Sequence, residues 1–412
     1  MSRRWLRLDN AAKTFPPSAS KDDPRIFRIS IELKEKINLK YLNQALDTTL
    51  LDFPLFLSEL KKGVFWYYLD PSDIKPVITM DDNSPTASLK QKLLFQITYY
   101  NKRINIEVNH ALTDGVGTIE FTKCLISNYL SLKHNIKIKE ELTTSSIEEK
   151  ESDGFIKHYE KRKLIVKKRK PAYQFRGKKY LEGKLKIIEG IIPLGEIIKL
   201  AKEKNTTLTI YLTAILFKSI ADNMNNRDKK KTISIDIPVN LRPYFESNTI
   251  RNFFNTISVT YNFSESSDDL DSIIESITNE FKEKINKEYL AGSMNNYLYL
   301  EQHLLLRLIP LPIKNFGIKY VLKYLRKTQT MVFSNVGIIT MPEEIKDYID
   351  YFAVFISTNK MQMCMGSYNN KLVINFASRF KSSEIEKTFF RYLTSTINGI
   401  VINTNHLEDE NV

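Results

Sequence analysis

Apolar side chains recur along this chain at two periods, two residues and three to four residues, and the changes between them lay out its elements. Residues 25–33 (Arg-Ile-Phe-Arg-Ile-Ser-Ile-Glu-Leu) alternate as a strand does. Residues 38–52 place Tyr41, Leu42, Ala45, Leu46 and Leu50 on one face, the spacing of a helix. Gly63 to Leu69 reads as a strand, and Leu93 to Tyr100 with Arg103 to Val108 reads as a hairpin turning at Asn101-Lys102. After Gly115, Ile119, Phe121, Leu125, Ile126, Tyr129 and Leu130 mark an amphipathic helix that closes the first half.

Residues 133–183 are polar, charged and poor in apolar periodicity, the mark of a connection. The theme then repeats. Leu185 to Ile192 reads as a strand, and Leu194 to Lys204 and Leu208 to Met224 as helices, the second apolar enough to be buried. Strands are predicted at Thr232 to Ile237, Asn255 to Phe263, Thr328 to Phe333, Tyr351 to Ser357, Met361 to Tyr368 and Lys371 to Ala377. Helices are predicted at Asp268 to Tyr289, with acidic residues early, and at Ser382 to Ile400. Between them, residues 304–325 are unusually apolar, but Pro310 and Pro312 forbid one long helix. Core packing is the expectation there, with an acyl-chain wall or a membrane-surface contact as the weaker alternatives.

At 412 residues the chain exceeds what one core usually supports, so two lobes are expected. The apolar runs fall well short of the ~18–20 residues that span a bilayer, and no apolar run follows the basic start Met1-Ser2-Arg3-Arg4 as a secretory signal would. Cys124 and Cys364 lie in apolar patterns and read as reduced thiols, and no Cys/His cluster has metal-ligand spacing. A cytoplasmic location is expected. Of the net charge of +13, residues 157–184 carry +10, from 12 Lys/Arg against two Glu. Such a block reads first as a solvated connection, next as an attractor of a phosphate-bearing ligand or an acidic protein, and last as a nucleic-acid tract. No aromatic platform for single strands accompanies it.

Candidate chemistry concentrates in Asn109-His110-Ala111-Leu112-Thr113-Asp114-Gly115, between the alternating run Ile104 to Val108 and the helix that follows. A histidine on a strand-to-helix turn suits a general base, because imidazole titrates near working pH. Gly115 would allow a tight or positive-φ backbone at the turn. A second motif, Asp236-Ile237-Pro238-Val239-Asn240-Leu241-Arg242-Pro243, ends a strand in a proline-stiffened corner, where Arg242 could fork onto a carboxylate. By itself it could equally be a surface turn.

Together these motifs resemble the CoA-dependent acyltransferases of the chloramphenicol-acetyltransferase and condensation-domain superfamily, and most of all its alcohol acetyltransferase-like members. The likeness runs over nearly the whole chain. It includes Trp5 to Pro16, Pro238 to Phe254 with Arg251-Asn252-Phe253-Phe254, and Ser334-Asn335-Val336-Gly337. The resemblance implies an α/β fold of mixed sheets in two lobes, with the active-site tunnel between them. The first lobe would be residues 1–156, the connection 157–184 and the second lobe 185–412.

It further implies acyl transfer from acyl-CoA, a cosubstrate, to an alcohol hydroxyl, with an acetyl group one candidate and no bound cofactor. His110 would be the base, Asp114 the structural partner of Arg242, and Gly115 the opener of the turn. Ser334 would help hold the oxyanion, a strand-end cap being its plainer reading. Asn109 stands where condensation domains carry another histidine. The carrier-domain Asp-Ser-Leu and plant-type Asp-Phe-Gly-Trp-Gly motifs are absent.

Amide formation on an amine acceptor, donation from a separate acyl carrier protein, and a catalytically silent binding protein are the alternatives. Intact His110, Asp114 and Arg242 weigh against the last. No nucleic-acid partner is expected, and a monomer is.

Overall fold

The computed structural model describes residues 4–81, 85–139, 145–160 and 169–405. Strand Ile26–Leu33 shows how the alternation is used. Phe27, Ile29, Ile31 and Leu33 enter the core of the first lobe. Arg28, Ser30 and Glu32 point the other way, directly opposite Glu107, Asn105 and Arg103 of strand Arg103–Asn109. Arg28 Nε donates to Glu107 at 2.8 Å, Ser30 Oγ to Asn105 at 2.7 Å, and Arg103 Nε to Glu32 at 2.8 Å. The polar face of the sheet is thus closed by cross-strand pairs.

The first-lobe sheet has five strands, in the order Ile349–Ile356, Ile26–Leu33, Arg103–Asn109, Phe95–Tyr100 and Thr79–Met80. Helices Leu39–Asp52 and Gly115–His134 pack together over it, as their apolar faces require. A three-stranded sheet of Leu6–Arg7, Tyr67–Pro71 and Ser58–Lys62 lies beside them. The second-lobe sheet has seven strands, in the order Phe254–Tyr261, Ile233–Asn240, Met331–Ile338, Met361–Tyr368, Lys371–Ser378, Lys186–Pro193 and Val401–Thr404. Met331–Ile338 is parallel to both neighbours, and the other pairings are antiparallel. Helices Leu194–Glu203, Leu208–Asp222, Leu270–Lys284 and Glu384–Thr394 cover the core of this lobe.

The lobes do not divide at one point in the chain. Strand Ile349–Ile356 lies far into the second half, yet it pairs with Ile26–Leu33 at the edge of the first-lobe sheet. It also locks the lobes together. Its Tyr351 hydroxyl donates to Glu189 of the second lobe at 3.0 Å, and Arg103 reaches the same carboxylate at 3.2 Å. A division at residue 185 is therefore crossed by the fold. Of the basic tract, Lys161, Arg162, Lys163, Lys167 and Lys168 lie outside the described residues. Its continuation is docked on the second lobe: Ala172 N donates to Lys327 O, Tyr173 N to Thr232 O and Tyr180 N to Arg379 O.

Four other segments differ from their expected form. Of the strand expected at Gly63 to Leu69, residues 63–66 form a hairpin tip, closed by Gly63 N donating to Trp66 O at 2.9 Å, and the strand begins only at Tyr67, as Tyr67–Pro71 paired with Ser58–Lys62. The helix expected over 268–289 breaks at Ile285, and Asn286 caps a new helix, Lys287–Gln302, by accepting from Tyr289 N. The last helix stops at Thr394, and Val401–Thr404 returns as an edge strand beside Lys186–Pro193. Residues 304–325 form helices Leu304–Arg307 and Leu311–Leu325, with Pro312 in the first turn, where its missing N–H costs nothing. That segment is core only at Leu311, which is buried, whereas Ile313, Phe316, Tyr320, Val321 and Tyr324 face solvent. Cys124 and Cys364 are buried free thiols, and no described helix is long and apolar enough to cross a membrane.

Candidate active site

His110 is held by main-chain bonds at the mouth of its strand. Its N–H donates to Arg25 O at 2.9 Å, and its carbonyl accepts from Asn252 Nδ2 at 3.0 Å. Asn109 tightens the turn behind it, accepting from Ala111 N at 2.9 Å and donating to Pro24 O at 3.2 Å. The imidazole lies between two aromatic rings, stacked on Phe15 at 4.8 Å between centroids and tilted against Phe27 at 4.5 Å. No hydrogen bond of regular geometry reaches its Nδ1, although Asn252 and the Thr113 main chain lie close to the ring. Burial among these rings, helped by the nearby Arg25 cation, pushes the His110 pKa down to about 4. The ring is therefore neutral at physiological pH and able to accept a proton.

Asp114 is fully engaged elsewhere. It caps helix Gly115–His134, with Oδ1 accepting from Gly117 N at 3.0 Å. Arg242 forks onto it, NH1 to Oδ2 and NH2 to Oδ1, both at 3.0 Å. Phe253 N adds a fourth bond at 2.9 Å. Arg242 spends its remaining donors on Thr249 O at 2.8 Å, Asn240 Oδ1 at 3.1 Å and Arg251 O at 2.7 Å. All five guanidinium donors are thus matched. The pair ties the histidine turn of the first lobe to the proline corner of the second, and leaves no carboxylate to orient the imidazole.

Gly115 does not have the role its position suggests. Its φ is not positive, and a Cβ there would meet only Val336 Cγ1, at 3.7 Å. The glycine that packing requires is Gly117, where a Cβ would lie 2.0 Å from Ile250 O and 2.3 Å from Thr113 Oγ1. The strained backbone near the site belongs instead to Arg25, at φ +62°, whose carbonyl holds the His110 N–H.

These residues border a cavity of about 430 Å³ between the lobes. His110, Asp114, Gly115, Arg242 and Ser334 all line it. Ser334 is half-buried on strand Met331–Ile338, just before an irregularity in the pairing between Asn335 and Ile338. Asn335 turns its side chain away, donating to Thr209 Oγ1 at 3.0 Å and accepting from Gly337 N at 2.8 Å, and Gly337 takes φ +82°.

The cavity also has polar groups to which the motifs assigned no role. Lys360 donates to Gln174 Oε1 and Arg326 O, both at 2.6 Å, and burial with the Arg326 charge holds its pKa down to about 8. Asp236 is raised above the usual carboxylate range by burial, with Arg169 at 3.8 Å. Among the described residues, no group of three or more His, Cys, Asp or Glu side chains could hold a metal ion.

Sequence reasoning missed the residues that condition His110. Phe15 and Phe27 come from distant segments, and only folding brings them to the ring. Asn252 is fully buried, bridging Asp9 Oδ2 at 3.1 Å and the His110 carbonyl. An asparagine set between arginine and two phenylalanines was the signal available for it. Asp9 beside it is pushed up to about 6 by burial, against the lowering effect of Arg251.

The sequence matches no protein-family model and no curated protein. Solved structures do match its shape over almost the full length. The trichothecene 15-O-acetyltransferase TRI3 of Fusarium sporotrichioides is 13% identical, with a TM-score of 0.62 and 95% of each chain covered. TRI101 of F. graminearum, complexed with coenzyme A and T-2 mycotoxin, is 11% identical at a TM-score of 0.63, covering 95% of this chain and 97% of that one. The starter condensation domain of rhizomide synthetase, bound to C8-CoA, is 10% identical at 0.61, covering 95% and 94%. The fold is the one shared by these acetyltransferases and this condensation domain. Its two lobes and mixed sheets agree with the architecture that the motifs implied.

Proposed function

We propose that this protein transfers an acyl group from acyl-CoA to the hydroxyl of a small-molecule acceptor, with His110 as general base. The observation that carries this reading is the His110 imidazole, packed between Phe15 and Phe27 on the wall of an inter-lobe cavity. In that reaction the acceptor oxygen attacks the thioester carbonyl carbon while His110 takes the hydroxyl proton. The C–S bond of the tetrahedral intermediate then breaks, and the imidazolium returns the proton to the departing thiolate. Ser334, on the same cavity, is assigned to the oxyanion, and Asp114 to holding the turn through Arg242. Among the residues lining the cavity, five cations (Arg25, Arg169, Arg242, Arg326 and Lys360) outnumber three carboxylates (Asp23, Asp114 and Asp236), a balance that favours CoA phosphates.

The test is thiol release from acetyl-CoA with a panel of alcohols and amines, wild type beside His110→Ala. Base removal should lower acceptor-dependent turnover by about 10²–10⁴, and Ser334→Ala by on the order of 10²–10³. Undiminished turnover in a folded His110→Ala protein would refute the assignment. Release only from acylated carrier protein would move the donor from CoA to a carrier, and an amine preference would replace ester with amide formation.

A further inference from the structure

Helix Leu311–Leu325 is amphipathic the wrong way round for a helix that serves only to cover a core. Leu311 is buried, and Leu322 and Leu325 turn inward to line the inter-lobe cavity. The outward face is also apolar. Phe316 is 76% exposed, Tyr320 72%, Ile313 62%, and Val321 and Tyr324 54% each. Their spacing of three, four, seven and eight residues places them on one stripe of the helix surface. Gly317 lies within the stripe, and a Cβ there would meet nothing within 4 Å.

The stripe continues into its surroundings. Leu308 precedes it, exposed. The hairpin tip carrying exposed Val64 and Phe65 is fastened alongside, with Leu311 N donating to Val64 O at 2.9 Å and Lys314 Nζ to Phe65 O at 3.2 Å. An apolar patch of this continuity is not left bare by chance on a water-facing surface.

The charge around the patch indicates what covers it. From His303 to Pro342 the sequence contains Arg307, Lys314, Lys319, Lys323, Arg326 and Lys327, and not one Asp or Glu. Lys319 and Lys323, four residues apart, flank one side of the stripe, and Lys314 the other. No carboxylate pairs with Arg307, Lys319, Lys323 or Lys327 among the described residues, although the rest of the surface carries many ion pairs. Aromatic and aliphatic side chains rimmed by unpaired cations are the pattern of a helix lying in the headgroup region of an anionic bilayer. A protein groove would need carboxylates matched to particular lysines, whereas a lipid surface needs only the sign of charge.

We propose that this helix and the adjoining Val64–Phe65 tip dock the protein on the surface of an anionic lipid bilayer, Phe316 and Tyr320 entering the headgroup layer and Lys319 and Lys323 meeting lipid phosphates. Docking in this orientation sets the helix that walls the cavity directly against the membrane. The inference stands on the surface itself and not on the acyl-transfer reading.

The test is flotation of the full chain with phosphatidylcholine vesicles, with and without phosphatidylserine. Binding is expected to the anionic vesicles and to weaken with added salt. Phe316→Ser with Tyr320→Ser should lower the partition coefficient at least about tenfold, as the loss of two buried aromatic side chains implies. Lys319→Gln with Lys323→Gln should abolish the preference for phosphatidylserine. These side chains are exposed, so the variants keep the fold, and unchanged circular dichroism checks that. No flotation of wild type with either vesicle, or flotation indifferent to both double variants, overturns the proposal. So does a dimer in sedimentation that the Phe316 and Tyr320 changes dissolve, because a second copy would then cover the patch.

Discussion

Asp114 and Arg242 should behave as one unit, and a double-mutant cycle measures it. The carboxylate receives four N–H bonds of 2.9–3.0 Å, two of them from Arg242, and both side chains are largely buried. In Asp114→Asn the remaining oxygen can keep the helix cap. The new NH₂ group, however, faces the donors of Arg242 and Phe253, so a buried cation loses its counter-charge. Breaking such a pair costs about 3–5 kcal/mol. Arg242→Met leaves the carboxylate with the Gly117 and Phe253 amides alone and strips the Thr249 and Arg251 carbonyls of their donor, while Asn240 Oδ1 keeps the main-chain N–H of residue 242, for a similar cost of roughly 3–5 kcal/mol.

If the two sites were independent, the double variant would lose about 6–10 kcal/mol, comparable with the whole stability of many proteins. As a unit it should lose little more than the worse single variant, so the coupling should come close to the smaller single loss, about 3 kcal/mol or more. Urea unfolding followed by tryptophan fluorescence is the assay, because Trp5 and Trp66 are the two tryptophans of the chain and both lie in the first lobe. Additivity within about 0.5 kcal/mol would refute the reasoning, since separated sites add to that tolerance.

Four further expectations follow from the site. With His110 neutral down to about pH 4, kcat/KM should hold level through pH 6 and fall only on approach to pH 4; an acid limb at pH 6.5 would show the ring to be solvated. The same shift fixes the sign for stability: the buried ring favours the neutral form, so His110 contributes fully above the unfolded pKa near 6.5, and that contribution is lost as pH falls toward 4, as acid titration of wild type against His110→Phe would reveal. Gly117→Ala should destabilise by about 1–3 kcal/mol or prevent folding, whereas Gly115→Ala should leave the melting temperature nearly unchanged; equal effects would contradict the assigned packing. Asn252→Ala should cost about 1–3 kcal/mol in urea unfolding, because it leaves the buried Asp9 carboxylate and the His110 carbonyl short of a donor; a neutral outcome would deny the bridge.

The chain's order of hydrophobic and polar residues determined most of the elements, because each strand or helix must bury one face, and a two- or 3.6-residue period shows which. Strand 26–33, the hairpin at Asn101 and the apolar helix Leu208–Asp222 were legible for that reason. So was the place of His110 on a strand-to-helix turn, whereas the pairing of Asp114 with Arg242 was implied only by the family resemblance, and the fold brings the two side chains together. The ends of elements were less legible where a single residue decides, as Asn286 does between two helices.

What tertiary structure alone decided depends on contacts between residues far apart in the chain. Strand Ile349–Ile356 joins the first lobe because Ile26–Leu33 has an open edge there, which no local pattern reveals. Phe15 and Phe27 lower the His110 pKa only once three distant segments converge. Gly117, not Gly115, is indispensable because Ile250 crosses above it. The apolar stripe at 313–324 looked like core because periodicity gives the existence of a greasy face; whether that face turns inward or outward is set by what packs on its other side.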